Sequence, residues 1–174
     1  MLFRSAVVTS VFREDYGSTP MAAIEFQRRI ERGAYAAGGG GYSAPIITVG
    51  DFLADTLKTE PKRILPSYMS GSNVKLARPE EYLPGFVCQG IKNALVDFDR
   101  KISGFACHDA VLTGAETRTS APIRILRDND SRTAYGFSNI YPAGEGAGYA
   151  GGITSAAIDG VRTALALMKS FKSN

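Results

Sequence analysis

Residues that build metal centres and disulfide frameworks are scarce in this sequence. Its 174 residues include one histidine and two cysteines. Cys88 and Cys107 are too few for a disulfide framework and lack C-x-x-C spacing, so we expect two reduced cysteines in or near packed regions. The lone His108 argues against a histidine-rich metal site, and we predict no metal site. We interpret His108 as a loop residue beside Asp109, although one histidine is enough to shuttle a proton.

Long apolar runs and long runs of one charge are also missing. No apolar segment approaches the roughly 20 residues needed to cross a bilayer, and Met1–Arg4 does not begin a signal peptide. We therefore expect a cytoplasmic protein that does not bind membranes. The 20 Lys and Arg residues are scattered among 17 Asp and Glu, with a net charge of +3, which gives nucleic-acid binding little support.

The composition is that of a globular chain with many breaks. Hydrophobic residues make up 44% of the sequence, enough for one ordinary core, while 19 glycines and 8 prolines leave few long elements. We predict an α+β fold with a short mixed sheet. Apolar periodicity indicates three main helices, near residues 20–37, 84–102 and 152–171.

The first of these helices has clear boundaries. Thr19 is a good N-cap and Pro20 suits the first helical position. Four glycines, Gly38–Gly41, end the helix with a left-handed cap. They resemble a phosphate-binding loop, but such loops open a helix, whereas this run follows one.

Short strands are predicted by β-branched and apolar residues, and a short helix capped by Asp51 is predicted after the second of them. The helix near 84–102 has a regular stripe that ends at Ile102. The predicted strands or extended segments are Ser5–Phe12, Tyr42–Val49, Ala110–Thr113, Pro122–Leu126 and Ala134–Ile140.

A glycine-rich segment, residues 141–152, follows the last predicted strand and precedes the third helix. Its glycines allow another group to approach the backbone closely, and the helix start offers unpaired N–H groups. Its one charge is Glu145. A carboxylate would repel a bound pyrophosphate, because both are negatively charged. It accepts strong hydrogen bonds from sugar or polyol hydroxyls. A flavin supplies both such hydroxyls and an electron-rich ring edge.

The run YPAGEGAGYAGGITSAAIDGVRTA, residues 141–164, resembles the C-terminal flavin segment of bacterial FAD-dependent oxidoreductases. This family is often labelled NAD-utilising dehydrogenases or uncharacterised FAD-dependent proteins. Three further runs match it in the same order: FQRRIERGAYAAGGGGYSAPIITVGDFL, LPGFVCQGIKNALVDFDRKISGF and LTGAETRTSAPIRILRD.

The resemblance implies a set of FAD contacts. Glu145 would bind the ribityl hydroxyls, and the helix start would bring backbone to the flavin ring. The implied cofactor-binding residues are Gly144, Glu145, Gly151, Gly152 and Ile153. The alternative for Glu145 is that it only caps its own loop. Catalytic residues are not indicated.

Enzymes of this kind begin with a strand, a G-x-G-x-x-G turn and a helix that bind the ADP half of FAD, and we find no such unit in these residues. We therefore expect the C-terminal portion of a longer enzyme. Residues 1–133 would form its substrate-side domain and residues 134–174 would complete the FAD-binding domain. The expected partners are the missing N-terminal FAD-binding domain, a small-molecule substrate and, where apolar helix surface lacks its cover, a second copy. The piece alone is expected to lose FAD and to be inactive.

A second candidate site is the polar block Glu116–Ser120. Its substrate-side candidates are Thr117, Arg118 and Thr119, with Arg118 as the anion or flavin-edge contact. The alternative is a solvent-facing edge strand carrying a weak Glu–Arg pair. For the whole chain, the alternative to an oxidoreductase fragment is a non-catalytic binding or interaction domain derived from a flavoprotein.

Overall fold

The structure, a computed structural model, describes residues 5–41, 43–66, 73–117 and 120–172. The chain forms two compact units. Unit 1 comprises Met1–Tyr16 and Glu25–Thr117, and unit 2 comprises Gly17–Ile24 and Arg118–Asn174. Across the described ranges, no helix combines the length and the apolar character that crossing a membrane requires.

The described elements are five α-helices, three strands and one 3-10 helix. In chain order they are α1 Arg13–Tyr16, α2 Pro20–Ala37, β1 Ala44–Thr48, α3 Val49–Leu53, β2 Val74–Leu76, the 3-10 helix Pro79–Glu81, α4 Gly85–Lys101, β3 Val111–Thr113 and α5 Ile153–Lys172. The predicted α+β class is confirmed.

Unit 1 is built around a mixed sheet with the order β2-β1-β3. β1 pairs in parallel with β2, where Ala44 faces Val74, and antiparallel with β3, where Ile47 faces Leu112. All five residues of β1 are buried, as expected for a central strand.

The core of unit 1 joins this sheet to α3 and α4. Its buried residues are Ile47, Val49, Phe52, Cys88 and Leu95. Fully burying a side chain such as Phe52 or Leu95 contributes about 1.5–3 kcal/mol, so the short α3 is held by its packing rather than by its helix propensity.

Helix α2 has the predicted bounds. The Thr19 hydroxyl accepts a hydrogen bond from the Ala22 N–H at 3.1 Å, which confirms the N-cap. Gly39, Gly40 and Gly41 all have positive φ, so the glycine run forms the left-handed exit that its sequence indicates. The extended segment predicted after it contains β1, although Ser43 precedes the strand and Val49 already begins α3. Tyr42 lies outside the described residues.

The strand predicted at Ser5–Phe12 is wrong, since these residues have no regular structure. Val7 packs against the core of unit 1, and Thr9 lies so close to Gly90 of α4 that a Cβ there would be 2.8 Å from its hydroxyl. The segment runs along a helix, where it has no strand to pair with.

Two end positions also differ from the sequence predictions. Thr48, not Asp51, is the N-cap of α3, because its hydroxyl accepts the Asp51 N–H at 3.2 Å. Asp51 instead lies in the first helical turn. Ile102, predicted to end the buried stripe of α4, is 60% exposed because it is the C-cap residue and its backbone has left the helix.

In unit 2, the strands predicted at Pro122–Leu126 and Ala134–Ile140 are absent. A single bridge between Arg127 and Ala134 is what these regions form. After Ala134 the chain turns through Gly136, whose φ is +83°, and the Ala134 N–H bonds back to the Ile140 carbonyl at 2.8 Å. The aromatic segment curls on itself, so it offers no straight edge for a sheet.

Candidate functional site

The glycine loop, residues 141–152, is a tight turn in unit 2. The Gly148 N–H donates to the Glu145 carbonyl at 2.9 Å, and the Tyr149 N–H donates to the Gly144 carbonyl at 3.0 Å. Gly144 and Gly148 have φ values of +70° and +82°, which side chains rarely tolerate. The turn is therefore closed by its own backbone and depends on glycine at both positions.

Asp159, in the second turn of α5, ties the helix to the start of the loop. Its Oδ2 accepts the Gly144 N–H at 3.0 Å. At the other end of the loop, the Gly152 N–H donates to the Ser155 hydroxyl at 3.1 Å. Both ends of the loop are thus bound to the first two turns of α5.

Arg127 completes this arrangement from the other side. Its Nη1 and Nη2 donate to Oδ2 and Oδ1 of Asp159 at 3.0 Å and 2.5 Å, and Nη1 also donates to the Pro142 carbonyl. The side chain is 2% exposed, and its guanidinium lies 3.6 Å from the ring centroid of Tyr149. The Arg127 hydrogen bonds hold the pKa of Asp159 at about 2 against the effect of burial, so the pair is ionised.

Of the five residues predicted to contact a flavin, Gly144 is half-buried and its N–H is bound to Asp159, whereas the other four are exposed to solvent. Glu145, Gly151, Gly152 and Ile153 are exposed, with Ile153 at 93%. No residue that the structure describes donates a hydrogen bond to the Glu145 carboxylate. The first N–H groups of α5 have no partner within the helix. An exposed carboxylate in the loop, together with the unpaired N–H groups in the first turn of α5 after Gly152, suits a ligand with hydroxyls and an electron-rich edge, such as a flavin.

One sequence signal was missed: Gly146, Gly148 and Gly151 have the spacing G-x-G-x-x-G. In a dinucleotide-binding turn the second glycine leaves room for the pyrophosphate. Here the space beside Gly148 is filled by the chain itself, because a Cβ there would be 2.5 Å from the Ile123 carbonyl. The described residues 120–145, which lead into the turn, contain no strand either, so these glycines do not form a dinucleotide-binding unit.

The substrate-side candidates are described only in part. Thr117 lies in unit 1, where its hydroxyl donates to Oε1 of Glu31 on α2 at 3.1 Å. Arg118 and Thr119 lie outside the described residues. Glu116 and Thr117 are not in a strand, so the predicted alternation on an extended strand is not supported by the part that is described.

Two shallow grooves, of about 460 and 470 Å³, lie elsewhere. The first is lined in unit 1 by Gly33, Ala36, Ala37, Lys75, Leu76 and Glu81, and the second in unit 2 by Asn129, Asp130, Arg132, Arg162, Leu165, Ala166 and Lys169. Neither lining includes a predicted site residue. Within the described ranges, no three His, Cys, Asp or Glu side chains come together as metal ligands.

The sequence reasoning also missed Arg127 and Asp159. Apolar periodicity predicts Val161 and Leu165 on the inner face of α5, yet these are 60% and 53% exposed, and the buried positions of this helix are Asp159 and Thr163. No local pattern marks Arg127, whose partner is 32 residues away.

Comparison with known proteins identifies the family. The model of the family described as "FAD-dependent protein, C-terminal domain-like" matches residues 3–119, about two thirds of the chain. The chain belongs to this family. A protein of Clostridium beijerinckii, described only as an uncharacterized protein, is 45% identical over 168 residues, which cover 96% of this chain and 31% of the relative. The chain thus spans about a third of that relative's length, and the glycine loop falls within the aligned region although it lies beyond the family match.

Proposed function

We propose that this chain is the C-terminal part of an FAD-dependent oxidoreductase of the NAD-utilising dehydrogenase type, and that its glycine loop contacts the flavin. Membership in a family of FAD-dependent proteins implies FAD in the whole protein. The observation that carries the proposal is the loop itself. It is bound from beneath by Arg127 and Asp159, and it presents Glu145 and the start of α5 to the outside.

Glu145 is the residue that would hold the ribityl chain. Its carboxylate is exposed and accepts no hydrogen bond within the described chain, so its full accepting capacity is available to ligand hydroxyls. The turn around it is closed by backbone bonds. A capping role for the Glu145 side chain therefore finds no support in the loop geometry.

Gly151, Gly152 and Ile153 would bring the helix start to the flavin ring. The free N–H groups and positive dipole end of α5 favour negative charge on a ring atom, and no side chain at the two glycines obstructs the approach. A bound flavin would supply the electron transfer. The contribution of this chain is to bind and orient it.

The substrate side is assigned to Thr117, Arg118 and Thr119. The Thr117 hydroxyl donates to Oε1 of Glu31 on α2, so Thr117 itself is held in place. An arginine two residues after Glu116 is suited to an anionic substrate group or to the flavin edge. The substrate is a small molecule in this proposal.

The exposed apolar face of α5 is the surface that would bind a partner. Its exposed residues are Ile153, Ile158, Val161, Leu165, Met168 and Phe171. Contiguous apolar surface of this kind marks an interface. Because the relative extends over about three times the aligned length, we assign the face to the N-terminal FAD-binding domain of the whole protein, with a second copy as the occupant when that domain is absent.

The experiment compares the protein expressed from the complete coding sequence with the chain of 174 residues. The complete protein should purify yellow with one FAD per chain. The shorter chain should be colourless, because it lacks the contacts to the adenine, ribose and pyrophosphate. A complete protein that neither retains nor binds FAD would overturn the proposal and favour a non-catalytic binding domain.

A further inference from the structure

Arg127 and Asp159 form a buried ion pair in unit 2 that also binds the backbone of the glycine loop. Both side chains are nearly buried, at 2% and 12% exposure. A buried ion pair is weak evidence for stability, because removing two charges from water costs about as much as their attraction returns. Its value often lies in specifying one conformation among several. The groups that this pair binds indicate which conformation is specified.

Those groups belong to the glycine loop. Oδ2 of Asp159 receives the Gly144 N–H at 3.0 Å, and Arg127 donates to the Pro142 carbonyl. The two tethered backbone groups lie one and three residues before Glu145. They therefore fix the two peptide planes on either side of Ala143, from which the chain enters Gly144 and Glu145.

A loop with five glycines needs such tethers. Glycine has more backbone freedom to lose than any other residue, so an untethered segment of this composition would sample many shapes. A ligand that binds one shape would have to select it from that mixture. Such selection lowers the apparent affinity for the ligand, and tethers that hold the loop in the binding shape in advance avoid that loss.

Arg127 is itself held by several contacts. Its guanidinium stacks on the Tyr149 ring. The Tyr149 hydroxyl accepts a hydrogen bond from the backbone N–H of Arg127 at 3.1 Å and donates one to the Ile125 carbonyl at 3.0 Å. Its Nε is buried and has no hydrogen-bond partner among the described residues. A buried donor without a partner is unfavourable. We interpret the unpaired Nε as a consequence of fixing the guanidinium in one position.

We propose that Asp159 and Arg127 are positioning residues that hold the glycine loop in the shape that accepts FAD. This inference rests on the proposed function. Neither residue touches the ligand; both act through the backbone at Pro142 and Gly144.

The test uses the complete protein and a variant in which the pair is replaced by apolar residues, Arg127→Met with Asp159→Leu. Such replacements of buried ion pairs generally keep the fold. Arg132, which also donates to Oδ1 of Asp159 at 3.1 Å, is partly exposed, so water can solvate its guanidinium in the variant. The replacement removes both tethers. In the apo-protein, hydrogen exchange at the loop amides should become at least tenfold faster while the melting temperature stays close to that of the wild type. The dissociation constant for FAD should rise at least tenfold.

Thr163→Val is the matched control. The Thr163 hydroxyl donates to the Asp159 carbonyl within α5 at 2.9 Å, so its loss perturbs the same helix face without touching the loop. This variant should keep the wild-type FAD affinity. If the double variant does not fold, Arg127→Lys replaces it, since lysine keeps the charge but cannot reach both Asp159 oxygens and Pro142 together.

The outcomes separate the two proposals. Wild-type protein that binds no FAD overturns the proposed function, whatever the variants do. Wild-type binding together with unchanged FAD affinity in the tether variant, or with unchanged loop exchange, overturns the positioning role alone. A loss of affinity with faster loop exchange supports it.

Discussion

Asp51 and Thr59 are joined by two hydrogen bonds, in which the Thr59 N–H and hydroxyl reach the two carboxylate oxygens at 2.7 Å and 3.1 Å. Thr56 and the Lys58 N–H donate to the same carboxylate, each at 2.7 Å. One buried carboxylate therefore organises the irregular chain that follows α3.

The first prediction is an acid transition caused by Asp51. Burial raises the pKa of this carboxyl, but its hydrogen bonds lower it further, to about 2 from an ordinary 3.8. A folded-state pKa below the unfolded value gives stability that is complete above pH 3.8 and is lost as the pH falls towards 2. Asp51→Asn should lower the free energy of unfolding at neutral pH by about 2 kcal/mol and flatten its fall below pH 4. Asp97→Asn, at an exposed pair with Lys101, is the control, and urea unfolding from pH 2 to 7 measures both. An equally steep acid transition in Asp51→Asn would contradict the assignment.

The second prediction concerns Gly50 and His108. A Cβ on Gly50 would lie 1.9 Å from Nδ1 of His108, so Gly50→Ala must push the imidazole away and should cost about 1–3 kcal/mol. Alanine otherwise favours a helix over glycine by about 1 kcal/mol. In a His108→Ala background the same change should therefore be neutral or stabilising. Thermal unfolding of the four proteins checks this, and an equal loss in both backgrounds would exclude the contact as the cause.

The third prediction is the ligand role of Glu145 in the complete protein. Glu145→Gln keeps the size of the side chain but makes it a weaker hydrogen-bond acceptor, and Glu145→Ala removes the acceptor altogether. FAD affinity should fall in both, and more in the alanine variant, by about one to two powers of ten for the loss of roughly 1.5–3 kcal/mol. The melting temperature of the apo-protein should not change, because the carboxylate bonds to nothing in the described chain. Glu60→Gln, at another exposed glutamate, serves as the control in the FAD titration. Equal FAD affinity in all four proteins would exclude the ribityl contact.

The fourth prediction is that the chain of 174 residues associates through α5. Leu165 and Met168 are 53% and 56% exposed on one face of this helix. Leu165→Glu with Met168→Glu should shift the mass from light scattering towards the 18.6 kDa monomer and reduce the binding of a hydrophobic dye. Val96→Glu, at an exposed apolar residue of α4, should leave the association intact. A wild-type chain that is already monomeric and binds no dye would show that the face needs no cover.

The fifth prediction distinguishes the two cysteines. Cys88 lies on the buried face of α4, and burial together with Glu80 raises the pKa of its thiol to about 11. Cys107 is half-buried and its sulfur lies 3.2 Å from Nη2 of Arg63. A thiol reagent should modify one cysteine rapidly in the native protein and two after denaturation. Rapid modification of both in the native protein would show that Cys88 is reached by solvent.

The local chemistry of α2 and the glycine run was predictable from neighbouring residues alone. Thr19, Pro20 and the glycines after Ala37 act through bonds within a few residues of one another, so their effect survives in any tertiary context. The periodic stripe of α4 is of the same kind, and it failed only at Ile102, where the helix ends.

Strands were less predictable, because a strand needs a partner. Ser5–Phe12 and Ala134–Ile140 have apolar and β-branched or aromatic residues typical of strands, yet one runs along α4 and the other curls through Gly136. The composition of a segment indicates that it can form a strand, but whether it pairs depends on which sheet edges the rest of the chain leaves unpaired.

The sequence by itself determined the α+β class, the main helices and the family, since these follow from local periodicity and from runs of residues shared with relatives. Only the tertiary structure decided that Arg127 meets Asp159 across 32 residues, that Gly148 is filled by its own chain, and that α5 turns a polar face inward. Each of these depends on atoms brought together from distant positions, and no local pattern encodes such a meeting.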